Sequence, residues 1–183
     1  MFGRKLGLTM ALVSLVLVSA LAAQTPTVKV SPLVGKKLPA VALVDFAGKP
    51  STLSSHLGKP TFISFWASWC GPCLKEMPEL QSILDKHPGE FQVLAIAMGD
   101  TLAAASAAMK PRAAFRFQWL LDPEATGAMS LSTKLGKTFN VIALPTAVWI
   151  ASDGTVIDYW NGLPDGEGAL TKKVEAFLAK SGK

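Results

Sequence analysis

Apolar residues along the chain follow two kinds of pattern. Residues 61–66 and 91–98 are apolar on both faces and rich in β-branched and aromatic side chains, which is typical of strands buried inside a sheet. Between these runs, apolar residues recur at helical spacing over 74–86, and His87-Pro88-Gly89 ends that pattern. The centre of the chain is therefore predicted to be a buried strand, a helix and a second buried strand.

Weaker patterns extend this alternation of strands and helices to both sides. We predict a hairpin at 41–46 and 51–53, a helix from Asp100 or Thr101 to Lys110, a strand at 115–121, a helix at 125–135, a hairpin at 148–150 and 155–159, and a closing helix at 167–180. Residues 24–39 show no period and predict an extended lead-in. The order of elements predicts an α/β fold, a three-layer sandwich with a mixed central sheet flanked by helices.

The first 23 residues differ in pattern from the rest of the chain. Arg4 and Lys5 precede an uncharged apolar run over 6–23, and Ala20-Leu21-Ala22 supplies a small-x-small cleavage site. This arrangement is that of a secretory signal peptide, and a run of this length is also sufficient for a membrane anchor. In either case we expect residues 24–183 to form one exported domain, in the periplasm or at the outer face of the cytoplasmic membrane.

Composition and charge exclude some classes of protein. Half of the 183 residues are hydrophobic and 17% are charged, which is a globular composition and not a disordered one. Arg4 and Lys5 account for two of the 18 basic residues, so 16 remain against 13 acidic residues. This balance is too even to indicate a nucleic-acid partner, and we expect none.

The two cysteines of the chain, Cys70 and Cys73, lie where the first buried strand passes into the helix. The unpaired amides and the positive dipole end of a helix N-terminus favour the thiolate form of Cys70, which is therefore expected to be the attacking sulfur. Cys73, one turn further along, is expected to be more buried and to resolve the mixed disulfide. Pro72 suits the first helical turn and is expected to tune the redox potential.

Other roles for the cysteine pair fit the sequence less well. A zinc site needs two further ligands, and His56 and His87 are distant in sequence and lack ligand spacing. A purely structural disulfide across so short a loop would remove little entropy from the unfolded chain. A peroxidase of the peroxiredoxin type needs Thr three residues before its cysteine, where this chain has Ala67. We expect no metal and no cofactor beyond a redox-active disulfide between Cys70 and Cys73.

The residues around the cysteines resemble a known family. The run Phe-Trp-Ala-Ser-Trp-Cys-Gly-Pro-Cys at 65–73 resembles the thioredoxin active site, and Pro78 matches the helix-kinking proline of that family. The lead-in hairpin, residues 75–78, Leu144-Pro145-Thr146 and the turn at 152–154 are most similar to exported TlpA/ResA-like thiol:disulfide interchange proteins. This resemblance covers about residues 34–178. It implies a thioredoxin fold with an N-terminal hairpin extension, and a dithiol reductase typically active in cytochrome c maturation.

One position departs from cytosolic thioredoxins. They carry a buried Asp six residues before the first cysteine, where this chain has Ser64, which cannot serve as a base at neutral pH. Resemblance to the exported subgroup assigns that role to Glu76, one helical turn after Cys73. We expect Glu76 to be partly buried, with its pKa raised toward neutrality, and a solvated Glu76 is the alternative. Glu79, six residues after Cys73, is expected to face elsewhere.

The resemblance also implies a substrate-binding surface beside the cysteines. Thioredoxin-like proteins place a cis proline against this site, which here is Pro145. The backbone of Leu144 would then be free to pair with a strand of the substrate. Trp69, Gly71 and Pro72 complete the expected substrate-binding set, with Trp69 on the rim of the site.

These features predict an exported thiol:disulfide oxidoreductase. We expect it to reduce disulfide-containing client proteins, to be recharged by a membrane thiol electron donor, and to be a monomer. Two alternatives stay open at the level of the sequence: an oxidant that donates disulfides, and a thiol-dependent binding module or chaperone that holds clients without turnover.

Overall fold

The computed structural model of the chain describes residues 32–124 and 130–181. The predicted signal peptide or membrane anchor at 1–23 and the first part of the lead-in, 24–31, lie outside the described residues. None of the helices within the two described stretches combines the length and the apolar character needed to cross a bilayer.

A mixed β-sheet forms the centre of the described molecule. Its strands are β1 (Ala42–Asp45), β2 (Pro50–Thr52), β3 (Thr61–Trp66), β4 (Gln92–Ala97), β5 (Phe117–Leu121), β6 (Thr146–Ile150) and β7 (Val156–Asn161). They lie in the order β2-β1-β5-β4-β3-β6-β7. Neighbours among β3, β4 and β5 are parallel, and the remaining pairs are antiparallel. The predicted mixed sheet, parallel in its middle strands, is confirmed.

Helices cover both faces of this sheet. They are α1 (Gly71–Lys86), α2 (Leu102–Met109), α3 (Lys134–Phe139) and α4 (Ala169–Ser181). Along β3, Phe62 and Trp66 belong to a buried cluster that includes side chains of α1 and α4, whereas Ile63 and Phe65 belong to a second cluster that includes side chains of α3. Because successive strand residues point to opposite faces, β3 is buried on both sides, as its apolar sequence predicted. The three layers form a thioredoxin fold.

The N-terminal hairpin extends the sheet at one edge. β1 pairs with β2 and, on its other side, with β5, where Val44 lies opposite Leu121. The connecting turn is closed by Asp45, whose Oδ1 accepts hydrogen bonds from the amides of Ala47 (2.8 Å) and Lys49 (2.9 Å). The predicted hairpin extension is therefore present.

Two predicted segments differ from the structure. The helix predicted at 125–135 is not helical over 130–133, and residues 125–129 lie outside the described residues. The helix of this region is α3, which begins after Thr133 because Thr133 Oγ1 accepts a hydrogen bond from the amide of Gly136 (3.0 Å). The lead-in is also not simply extended, since residues 32–35 form a turn before Lys37 pairs with Thr155.

Candidate active site

The two cysteines follow the carboxyl end of β3, an interior strand of the sheet. After Trp66 the chain turns into α1, and the amide of Cys70 donates a hydrogen bond to Ala67 O (3.0 Å). The sulfur of Cys70 caps the helix by accepting a hydrogen bond from the amide of Cys73 (3.2 Å). With Pro72 in the first turn, this cap starts α1 at Gly71 and not at 74, where the apolar period begins.

Cys70 and Cys73 form a disulfide, with their Cα atoms 5.3 Å apart. Both side chains are buried, Cys70 to 4% exposure and Cys73 to 1%, so Cys70 is the outer of the two. Gly71 and Pro72 between them are exposed, and apart from its chain neighbours and the backbone of α1 nothing lies within 4 Å of where a Cβ on Gly71 would be. A partner therefore has access to the disulfide from the side of these two residues.

Glu76 lies one helical turn after Cys73 and is buried, with 6% of its surface exposed. Its Oε1 atom has no hydrogen-bond partner among the described residues. Burial, followed by the nearby charge of Glu79, raises the pKa of Glu76 from its ordinary value of 4.5 to about 7. Glu76 is thus buried and not solvated, while the role assigned to it stays a prediction. Ser64 is buried in β3.

Glu79, which was expected to face away from Cys73, lies close to Glu76. It lines the same cavity as Glu76, a space of about 140 Å³ between α1 and the residues around the start of α4. The remaining lining residues are Lys75, Leu163, Pro164, Gly166 and Leu170. Neither cysteine is among these lining residues, whereas Glu76 and Glu79 are three residues apart and so share a helix face.

The segment before β6 lies at the same end of the sheet as the cysteines. β6 runs antiparallel to β3, with Thr146 opposite Phe65, so the residues preceding Thr146 adjoin the turn that follows β3. The peptide bond between Leu144 and Pro145 is cis, as expected. Pro145 is buried, and the partly buried Leu144 packs against the cluster that contains both cysteines.

A hydrogen-bond network that the sequence did not reveal supports this segment. The hydroxyl of Thr146 lies within hydrogen-bond distance of Ala143 O (2.7 Å) and Asn161 Oδ1. The amide group of Asn161 donates to the hydroxyl of Tyr159 (2.6 Å), which donates to Asn140 O (2.5 Å). The network ties the 140–146 segment to β7. Its members are too far apart in sequence for local pattern to connect them.

The tryptophan before the cysteine pair lies on the rim, as expected. Trp69 is 42% exposed, and its indole nitrogen donates a hydrogen bond to Gly99 O (3.0 Å). The neighbouring Ser68 is fixed by Asp100, whose carboxylate accepts hydrogen bonds from the amide of Ser68 (2.6 Å) and from its hydroxyl (3.0 Å). The turn that leads into the cysteine pair is therefore held from the end of β4.

Sequence reasoning considered Asp100 only as a helix cap. Thr101 occupies that position, since its Oγ1 accepts a hydrogen bond from Ala104 N, and Asp100 instead joins the two loops that follow β3 and β4. One signal was available: the carboxyl ends of adjacent parallel strands meet at one edge of a sheet, so polar residues that directly follow these strands are candidates for contact.

Replacing the buried Asp100 by alanine is expected to destabilise the protein by about 2–4 kcal/mol, because it leaves two partly buried donors of Ser68 without an acceptor. Urea denaturation of the oxidised protein measures this change. Asp85→Ala, which removes an exposed carboxylate paired with Arg116, is the control and should cost under about 1 kcal/mol. Equal losses in the two variants would contradict a structural role for Asp100.

The described residues contain no group of three or more His, Cys, Asp or Glu side chains that could hold a metal ion. The two histidines make separate contacts. His56 Nε2 lies 2.8 Å from Ser51 Oγ, and His87 Nδ1 lies 3.1 Å from Glu90 Oε1. Within this part of the chain, neither is placed as a ligand beside the cysteines.

Comparisons with known proteins agree with this geometry. The Redoxin family model matches residues 33–175. Thiol-disulfide oxidoreductase ResA from Bacillus thuringiensis subsp. konkukian is 31% identical over 130 residues, covering 70% of each chain. Thiol-disulfide oxidoreductase ResA from Bacillus anthracis is 29% identical over 148 residues, covering 80% of this chain and 78% of the relative.

Solved structures share the fold. The thioredoxin domain of a thiol-disulfide oxidoreductase from Bacteroides vulgatus aligns with a TM-score of 0.65 at 17% identity, covering 79% of this chain and 97% of that one. A thiol-disulfide oxidoreductase from Bacteroides fragilis aligns with a TM-score of 0.62 at 22% identity, covering 78% and 99%. A cysteine pair opening a helix after the central strand of this fold is suited to exchanging disulfides. The chain belongs to the Redoxin family and is a TlpA/ResA-like thiol-disulfide oxidoreductase of the thioredoxin superfamily.

Proposed function

We propose that this protein works outside the cytosol as a reductase of disulfide-containing client proteins, such as those handled during cytochrome c maturation. The observation that carries the proposal is Glu76, a buried carboxyl whose Oε1 has no hydrogen-bond partner among the described residues, one turn from Cys73. A reductase must deprotonate its second thiol late in the reaction, and a carboxyl with a pKa of about 7 is suited to accept that proton.

The first step falls to Cys70. In the reduced protein, its thiolate lies at the N-terminus of α1, where the amide of Cys73 points at the sulfur and the helix dipole favours negative charge. The thiolate attacks one sulfur of the client disulfide. A Cys70–client disulfide forms, and the other client sulfur leaves as a thiolate that takes a proton from water.

The second step falls to Cys73 and Glu76. Cys73 transfers its proton to the Glu76 carboxylate, and the resulting thiolate attacks the sulfur of Cys70. The Cys70–Cys73 disulfide forms and the second client sulfur leaves. Two electrons have passed from the dithiol to the client, and a membrane thiol electron donor returns two electrons to the disulfide. No cofactor beyond this disulfide takes part.

Client binding is assigned to the surface around the disulfide. Trp69, Gly71 and Pro72 are exposed beside it, and they offer an apolar and unobstructed approach. The backbone of Leu144, at the same end of the sheet as the cysteines, pairs with an extended client segment. This arrangement engages the client in the manner of an added strand, so that many client sequences are accepted.

Export rests on the leading segment. Arg4 and Lys5 followed by the apolar run to residue 23 support cleavage as a signal peptide or retention as an anchor. Residues 24–183 then work as a monomer in the periplasm or at the outer membrane face. Fusing residues 1–40 to alkaline phosphatase, which is active only after export, tests this step; a fusion without activity would place the protein in the cytosol.

The direction of electron flow is tested by the equilibrium reduction potential of the Cys70–Cys73 pair. A reductase is expected to lie below about −200 mV, in the range of thioredoxins and glutaredoxins. A potential near that of strong periplasmic oxidants, about −120 mV, would overturn the proposal in favour of an oxidant that donates disulfides. The potential is measured by equilibrating the purified chain with defined glutathione or dithiothreitol buffers.

A further inference from the structure

Two carboxyl groups on α1, those of Glu76 and Glu79, line the same cavity but differ in their bonding. Glu76 has an oxygen without a hydrogen-bond partner among the described residues. Glu79 Oε1 accepts hydrogen bonds from Thr171, 2.8 Å from its hydroxyl and 3.3 Å from its amide. Thr171 lies in the first turn of α4. Glu79 is therefore anchored outside its own helix, whereas Glu76 is not.

The position of Thr171 matters for the charge of Glu79. A helix N-terminus carries unpaired amide donors and a positive dipole end, and both stabilise a carboxylate placed there. α4 has 13 residues, which is long enough for this effect. The first turn of α4 thus holds the Glu79 carboxyl in place through the two hydrogen bonds from Thr171.

The charged groups around the cavity all come from α1. Lys75, Glu76 and Glu79 line it, while the segment before α4 and α4 itself contribute Leu163, Pro164, Gly166 and Leu170. Lys75 is exposed, so water screens its charge. Among the described lining residues, Glu79 is therefore the one whose charge raises the pKa of buried Glu76.

A negative charge beside a buried carboxyl opposes its ionisation. This repulsion adds to the effect of burial, which is the larger of the two causes that raise the pKa of Glu76. The charge of Glu79 is the smaller cause, and the two hydrogen bonds from Thr171 keep the Glu79 side chain in place. The packing of α4 against α1 thus affects the ionisation of Glu76, one turn from Cys73.

We propose that Glu79 is a positioning residue of the dithiol reaction: bonded to Thr171, it keeps a negative charge beside Glu76 and so sets the pH at which Glu76 exchanges a proton with Cys73. This inference rests on the proposed role of Glu76 as proton acceptor. Glu79 itself touches neither sulfur in the reaction described above.

The test follows the titration of Glu76 directly. In oxidised protein labelled with carboxyl ¹³C glutamate, and with the Glu76 resonance assigned by Glu76→Gln, Glu79→Gln is expected to move the Glu76 titration to lower pH by about half to one pH unit. Thr171→Val should move it in the same direction, because Glu79 loses its hydroxyl donor, while Thr171→Ser should retain the wild-type titration. Asp85→Asn, an exposed charge further along α1, is the matched control and should leave it unchanged.

A second readout separates this inference from the proposed function. The resolving step, measured at a series of pH values in single-turnover reduction, should shift its pH dependence in Glu79→Gln by the same amount as the resonance. An unmoved Glu76 titration in folded Glu79→Gln and Thr171→Val would overturn the inference. A different outcome is that the Glu76 titration moves while neither Glu79→Gln nor Glu76→Gln alters the pH dependence of the resolving step. Glu76 would then take no part in the reaction, and Glu79 would have no effect on catalysis through it.

Discussion

Cys70→Ser is expected to abolish disulfide reduction, and Cys73→Ser is expected to capture clients as stable mixed disulfides. Cys70 is the outer sulfur at the N-terminus of α1, and Cys73 is almost fully buried behind it. Without Cys70 no attack on the client takes place, so turnover should fall on the order of 10³-fold or more. Without Cys73 the attack succeeds, but no sulfur is in position to displace the client from Cys70.

Insulin reduction measures the first effect, and non-reducing gels followed by mass spectrometry measure the second. The double variant Cys70→Ser/Cys73→Ser is the control and should neither reduce insulin nor form a covalent adduct. If Cys70→Ser still released reduced clients, the assignment of the attacking sulfur would be wrong. If Cys70→Ser held clients as firmly as Cys73→Ser, the thiol-dependent binding module would be the better description of this protein.

The fold could be predicted from the sequence wherever a single strand or helix had its own apolar pattern. Thr61–Trp66 is buried on both faces, and its run of β-branched and aromatic residues is sufficient to predict this. The region after residue 124 was harder to predict. There the start of α3 depends on the side chain of Thr133, which caps the helix. The apolar pattern at 125–135 contains no sign of this cap.

The residues of the site also fall into those that local sequence predicts and those that it does not. The cysteines and their helix N-terminus follow from local sequence, because the four consecutive positions 70–73 create the cap, the disulfide and the exposed approach. Asp100 and Thr171 act across 32 and 92 residues of sequence, through Ser68 and Glu79. Such contacts depend on which strands and helices become neighbours, so helical spacing on α1 alone could not predict the bond between Glu79 and Thr171.

The second large effect is expected for Glu76→Gln, which removes the proposed proton acceptor and keeps the size of the side chain. Loss of a positioned general base costs typically about 10²-fold or more in the step that it serves. The resolving attack of Cys73 should slow accordingly, and its pH dependence near pH 7 should disappear, while the first attack by Cys70 is little changed. Rapid-mixing measurements of the mixed disulfide resolve the two steps; equal slowing of both would argue against a specific role in resolution.

The same substitution has a consequence for stability whose sign follows from the raised pKa of Glu76. Folding raises this pKa from 4.5 to about 7, so between these values the folded protein binds a proton that the unfolded chain releases. The associated stabilisation is present in full below pH 4.5, and it is lost as pH rises to about 7, amounting to about 3 kcal/mol in all. Glu76→Gln does not titrate and escapes this loss.

The difference in unfolding free energy between Glu76→Gln and the wild type should therefore grow by about 3 kcal/mol in favour of the variant from pH 4.5 to pH 8. Urea denaturation of the oxidised proteins across this range measures it, and the other titrating groups cancel in the difference. Glu175→Gln, at an exposed position of α4, is the control and should differ from the wild type by a constant amount. A constant difference for Glu76→Gln as well would mean that this carboxyl is not desolvated on folding, and then nothing would hold its proton affinity in the range that Cys73 requires.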